Sequence, residues 1–182
     1  MKIDPVRYDL SKKTLCLIIL WLGLRASEPG KIRKMDIEFE RRKIILRDTK
    51  SGGDQLAPLP EELVRPLQQL TTSLSPQDFV FINQHGTGIR RPQVEEQIRL
   101  WGYERGIKGL TPQIIRRSLA EILEDRGASV LQLECLLRHT GSSTLRRHYS
   151  TTRNLRAAAK ALKYHPSRLL PKDRDPDSSD EM

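Results

Sequence analysis

One stretch constrains this chain more than any other: LTPQIIRRSLAEILEDRGASVLQLECLLRHTGSSTLRRHYS, running from Leu110 to Ser150. It carries two helix starts with one stop between them, which points to a helical hairpin. Thr111-Pro112 is the first start: a Thr side chain accepts from a free N–H of the first turn, and Pro at the first position gives up a donor the helix does not use. Ile115, Leu119, Ile122 and Leu123 follow at helical spacing, and Gly127 is a natural stop. Ser129 with Gln132 reads as a capping box, opening a second helix expected to bury Val130, Leu133, Leu136 and Leu137. Beyond it come Arg138-His139, a polar Gly/Ser turn, and Tyr149. Arg116, His139 and Tyr149 are therefore expected at element ends and turns around one hairpin, a group suited to handling a phosphate.

The 182 residues suffice for one ordinary domain with a real core. A formal charge of +9 and a pI near 9.8 imply a polyanionic partner, nucleic acid ahead of an anionic membrane. Aromatic residues make up only 5% of the chain, which argues against a single-strand binder that stacks bases on exposed rings. Cys16 and Cys135 lie in apolar helical runs and read as buried thiols in a reducing compartment rather than a disulfide framework. The histidines (His85, His139, His148, His165) show no metal-ligand spacing with cysteines or carboxylates, so no metal is expected. The apolar run Leu15–Leu24 is far shorter than the ~20 residues of a membrane span, and no small-residue cleavage site follows it as in a signal peptide. A buried helix is the reading.

Residues 1–11 are polar and interrupted by Pro5, which suggests a lead-in strand or tail; Ser11 then caps a central helix through about Leu24, apolar nearly all round. Met35–Phe39, Lys43–Arg47 and Gln55–Leu59 are strand-like, with turns at the charged run between the first two and at Thr49–Asp54. Pro60-Glu61-Glu62-Leu63 begins a helix that Pro66 is expected to disturb. Phe79-Val80-Phe81 is a short buried run. Gly86-Thr87-Gly88 lacks any Walker lysine pattern. Pro92 opens a helix burying Val94, Ile98 and Trp101, which Gly106 ends. Arg90, Arg91, Arg99 and Arg105 are candidates for DNA-backbone contacts or for a solvated face. Asn154 is expected to cap a last helix, LRAAAKALK. The tail from Pro171 to Met182, proline-broken and acidic, reads as disordered.

Three motifs fall in order along the chain: Gly23-Leu24-Arg25-Ala26-Ser27-Glu28; Thr111-Pro112-Gln113-Ile114-Ile115-Arg116-Arg117-Ser118; and Leu136-Leu137-Arg138-His139 followed by Tyr149. No single piece is specific, but the ordered set resembles the catalytic domain of the tyrosine recombinase (phage integrase) family, Xer-like members included. The family patterns read G-L-R-x-S-E, T-P-H-x-L-R-H-S and L-L-G-H before a tyrosine. The resemblance spans about residues 12–165. It implies a mainly α fold with a small three-stranded antiparallel β-sheet (α+β), the fold of this class of DNA breaking and rejoining enzymes.

The same resemblance implies the chemistry. Arg25 and Arg116 would clamp the phosphate, Glu28 would hold Arg25, and His139 would add a donor. Lys50, in the turn before Pro58-Leu59, would protonate the leaving 5′ oxygen. Tyr149 would be the nucleophile, forming a 3′-phosphotyrosyl intermediate and a free 5′-OH without metal, ATP or any other cofactor. Two departures stand out. Gln113 replaces the usual histidine of H-x-x-R, keeping a donor and an acceptor but losing any titration near neutral pH. The gap from His139 to Tyr149 is one residue longer than the common spacing, and His148 stands in the usual tyrosine place. The expectation is one catalytic domain over residues 1–170, without an N-terminal DNA-clamping domain, and a tail over 171–182. Double-stranded DNA is the expected partner, with a homo-tetramer on DNA, no membrane association, and a cytoplasmic, nucleoid-associated location. The related type IB topoisomerases share the chemistry, but a stand-alone recombinase domain fits these motifs better. The other reading is a catalytically degenerate DNA-binding relative of the same fold.

Overall fold

The first helix, α1, is described over Pro5–Leu22, and proline is tolerated in a helix's first turn, where a missing N–H has no partner to lose. A computed structural model describes residues 5–47, 53–138 and 151–166. The helix thus starts one and a half turns before the Ser11 cap expected from sequence, and Ser11 is buried within it. Leu15, Ile18, Ile19 and Leu22 are fully buried, and α1 packs against helices that follow it on several sides. Gly23 ends it at φ 54, its N–H donating to Ile19 O at 2.9 Å.

Short 3₁₀ turns at Pro29–Lys31 and Lys34–Asp36 lead into β1 (Ile37–Glu38), β2 (Lys43–Leu46) and β3 (Gln55–Pro58). The three form one antiparallel sheet in the order β1-β2-β3, as expected. Its register aligns Ile37, Ile44 and Ala57 in one row, all buried. On the other face the paired Glu38 and Lys43 form a 2.9 Å ion pair. The buried Asp36 carboxylate accepts from Arg47 Nε at 2.7 Å and anchors the end of β2.

The helix α2 (Glu61–Thr71) continues through Pro66. Proline inside a helix costs about 3 kcal/mol, but Leu63, Leu67 and Leu70 are all buried on one face. Burial of such side chains stabilises by about 1.5–3 kcal/mol each, so packing outweighs the lost bond. Val80 and Phe81 are fully buried, and their backbones pair with Ile32 and Ile89. There two chain segments touch: a Cβ built on Gly30 would lie 1.8 Å from Ile89 O, so only glycine permits the crossing.

The hairpin forms as its signals dictate. Thr111 accepts from Ile114 N at 3.2 Å and opens α4 (Pro112–Asp125), after α3 (Arg91–Tyr103). The reciprocal Ser129–Gln132 capping box opens α5 (Val130–Leu137). Val130, expected in the core, is 64% exposed, because at the first helical position it precedes the face that Leu133, Leu136 and Leu137 turn inward. Cys16 is buried, but Cys135 only half so; neither is in a disulfide. The last helix, α6 (Thr151–Ala161), begins one turn earlier than an Asn154 cap would place it. Asn154 lies inside, its Oδ1 3.8 Å from Cys135 Sγ, and α6 packs on α5 and β3. The stacked pair Trp21–His165, with ring centroids 3.7 Å apart, fastens the chain beyond α6 to α1.

Candidate active site

Helix ends leave carbonyls without intrahelical partners and concentrate partial negative charge there. In this fold the C-terminal ends of α1 and α5 lie close enough for one side chain to reach both. Arg116, in the second turn of α4, donates through Nη1 to Gly23 O at 2.6 Å and through Nη2 to Leu137 O. The Arg116 residue is only 5% exposed. Its position follows from the hairpin: Ile115 and Leu119 bury the same side of α4 and carry Arg116 inward with them.

Arg25 follows Gly23 in the loop after α1 and reaches the same place. Its Nη1 donates to Glu28 Oε1 at 3.0 Å, its backbone N–H to Glu28 Oε2 at 2.8 Å, and its Nη2 to Arg138 O at 3.2 Å. The carbonyls of consecutive residues, Leu137 and Arg138, thus hold the two arginines. The turn that presents them is left-handed, with Arg138 at φ 53 and ψ 44.

Arg138 itself is the residue the sequence reading passed over. Its Nη2 donates to Glu28 Oε2 at 3.1 Å and its Nη1 to Leu136 O at 2.7 Å, while Nε is buried with no hydrogen-bond partner among the described residues. The signal for it was present: a charge at the end of an apolar helix, where L-L-G-H has glycine. Glu28, expected to hold Arg25, does so and is shared with Arg138.

Two guanidiniums, Arg25 and Arg138, therefore share one carboxylate, with Arg116 on the neighbouring carbonyls. Burial first, then the charges of Arg138 and Arg25, pull the Arg116 guanidinium down to about 9, so it remains charged at neutral pH. Burial likewise lowers Arg138, against the opposing pull of Glu28. A cationic excess out of water is what an oxyanion relieves, and planar guanidiniums grip two oxygens at once.

The other sequence candidates fare differently. Gln113 is exposed on the first turn of α4, one turn before Arg116. Lys50, His139 and Tyr149 lie outside the described residues. The described chain around Lys50 is tethered, since Arg47 pairs with Asp36 and, at 3.5 Å, with Asp54. On α3, Arg91 pairs with Glu95 and Arg99 with Glu96, and Arg105, just beyond its end, lies 4.3 Å over the Trp101 ring. Those arginines are engaged by residues of α3, which favours the solvated-face reading. Among the described residues no group of His, Cys, Asp and Glu is placed to hold a metal, and no helix is long and apolar enough to cross a membrane.

The family model described as "Phage integrase family" matches residues 3–155. The tyrosine recombinase XerA of Pyrococcus horikoshii is 27% identical over 169 residues, covering 89% of this chain and 58% of that protein. Among solved structures, the integrase from mycobacterium phage Brujita superposes with a TM-score of 0.66 at 16% identity, covering 91% of this chain and 57% of that one. The XerH site-specific recombinase bound to its difH substrate, in a pre-cleavage complex, gives a TM-score of 0.65 at 19% identity, covering 87% of this chain and 47% of that one. The chain spans roughly half the length of the curated relatives it matches.

Proposed function

The chain belongs to the phage integrase family, and from that membership we propose that it is the catalytic domain of a tyrosine-type site-specific DNA recombinase. The observation that carries the reading is the clamp: Arg25 and Arg116 converge on the carbonyl end of α5, with Glu28 holding Arg25. The ordered motifs around it supply the remaining parts.

In this mechanism Arg25 and Arg116 hold the non-bridging oxygens of a phosphodiester in double-stranded DNA. The Tyr149 phenol gives up its proton to solvent as its oxygen attacks phosphorus, the bond to the 5′ oxygen breaks, and Lys50 delivers a proton to that leaving oxygen. His139 and Gln113 add hydrogen-bond donors. The product is a 3′-phosphotyrosyl bond and a free 5′-OH; reversal by another 5′-OH reseals the strand and returns the proton. Each preorganised donor contributes roughly 3–4 kcal/mol to the transition state. Exchange between two duplexes cuts four strands, so four protomers would act together on DNA, in the compartment that holds it. The XerH site-specific recombinase, which shares this fold, is seen bound to its difH substrate in a pre-cleavage complex.

The test is incubation with nicked suicide substrates carrying candidate attachment sites. Wild-type protein should form a covalent adduct, and Tyr149→Phe should bind DNA equally but form none. Adduct formation by the mutant would move the nucleophile elsewhere. A wild-type protein that binds DNA and never forms an adduct would leave the degenerate DNA-binding reading in its place.

A further inference from the structure

Arg138 sits where its own chemistry is least at ease. Its backbone is left-handed, a conformation open to glycine and unfavourable to residues with a Cβ. Its side chain, only 3% exposed, keeps a charge out of water at neutral pH. Glycine would remove both costs at this position. What arginine adds is a closed ring of contacts. Arg25 Nη1 binds Glu28, Glu28 Oε2 binds Arg138 Nη2, and Arg138 O binds Arg25 Nη2.

The ring has an electrostatic consequence. Without Arg138, Glu28 and Arg25 form a one-to-one ion pair, which neutralises a cation meant for phosphate. With it, the carboxylate is divided, and Arg25, Arg116 and Arg138 together exceed Glu28 by two positive charges. Arg138 also holds Glu28 from a second direction, so the Arg25 plane cannot turn with a rotating carboxylate.

We propose that Arg138 is a positioning residue of the clamp, sharing Glu28 with Arg25 so that the Arg25 guanidinium is held in place yet left unneutralised for the phosphate. The role rests on the recombinase reading and adds to it a residue that its family motif does not contain. Arg138 acts through Glu28, not by touching the substrate.

The experiment compares wild type, Arg138→Gly, Arg138→Lys, Glu28→Gln and the Glu28→Gln/Arg138→Gly double variant, with two readouts on each. One is the single-turnover rate of adduct formation on a nicked substrate, taken with DNA affinity. The other, independent of cleavage, is the rise in melting temperature produced by inorganic phosphate. Arg138→Gly should slow adduct formation by about 10–100-fold, the size met when an outer partner of a metal ligand is removed. DNA affinity should fall far less, and the phosphate-induced rise should shrink. Arg138→Lys, which restores a charge opposite Glu28, should recover most of the rate. In the Glu28→Gln background, with no carboxylate to share, removing Arg138 should cost little more. An undiminished cost there would place Arg138 on the phosphate itself and overturn the proposal, as would an Arg138→Gly protein with wild-type rate and phosphate response. A wild type that forms no adduct but shows an Arg138-dependent phosphate response would sink the recombinase reading and leave the role of Arg138 standing.

Discussion

Arg116 Nη1 donates to the carbonyl of Gly23 at 2.6 Å across 93 positions of sequence. That single bond ties the end of α1 to the second turn of α4, and it brings the two clamp arginines together. Gly23 stands at φ +54, and a Cβ there would lie 2.8 Å from Leu137 Cδ2 and 3.5 Å from Arg116 Cγ.

Gly23→Ala should therefore damage the clamp more than the fold. The left-handed backbone costs about 1–2 kcal/mol, within the stability of an ordinary domain. Displacing Leu137, whose carbonyl holds Arg116, should slow adduct formation by roughly 10²-fold, the scale of a 1 Å misplacement. Single-turnover cleavage alongside a melting curve separates the two effects. A variant that melts lower but cleaves at full rate would show that Gly23 serves the fold alone.

Gln113 is exposed one turn before Arg116, where its amide can donate to a bound phosphate. Gln113→Ala should lower cleavage by less than Arg116→Ala, since a neutral hydrogen bond is weaker than a charge-assisted one. Gln113→His should stay active and acquire a pH dependence between about 5 and 8. The imidazolium is the stronger donor, so the rate should be higher at the acidic end and fall as pH rises through the imidazole pKa. Cleavage rates across pH decide it. An alanine variant as inactive as Arg116→Ala, or an inactive histidine variant, would remove Gln113 from the phosphate.

Lys50→Ala should slow cleavage through the leaving group, by ~10²–10⁴-fold. A substrate with a bridging 5′-sulfur, whose thiolate leaves without protonation, should regain most of that rate. Equal losses on both substrates would remove Lys50 from the acid role.

His165 stacks on Trp21 at an interplanar angle of 12°, and its Nε2 lies 3.3 Å from Leu20 O. Replacing it by alanine should cost about 1–3 kcal/mol, read as a fall of about 2–4 °C in melting temperature per kcal/mol. An unchanged melting curve would mean that the chain after α6 is held to α1 by other contacts.

Local rules carried much of this structure. Thr111-Pro112, the Ser129–Gln132 box and Gly127 act within a few residues of themselves, so the α4–α5 hairpin was legible without the fold. The same is true of the three short strands and of the buried run in α1. Where local rules competed with packing, they lost: Pro66 lies inside α2 because three leucines are buried around it, and Val130 is exposed because the hairpin turns its face away. For the site, the ordered motifs named Arg25, Arg116 and Glu28, and a motif identifies residues without saying what they touch. Only the tertiary structure decided that the carbonyl ends of α1 and α5 converge on Arg116, and that Arg138 divides Glu28 with Arg25 across 110 positions. The reason is physical. A helix cap is satisfied by neighbours a few residues away, whereas a buried charge is balanced by whatever the fold brings beside it, and no spacing along the chain encodes that distance.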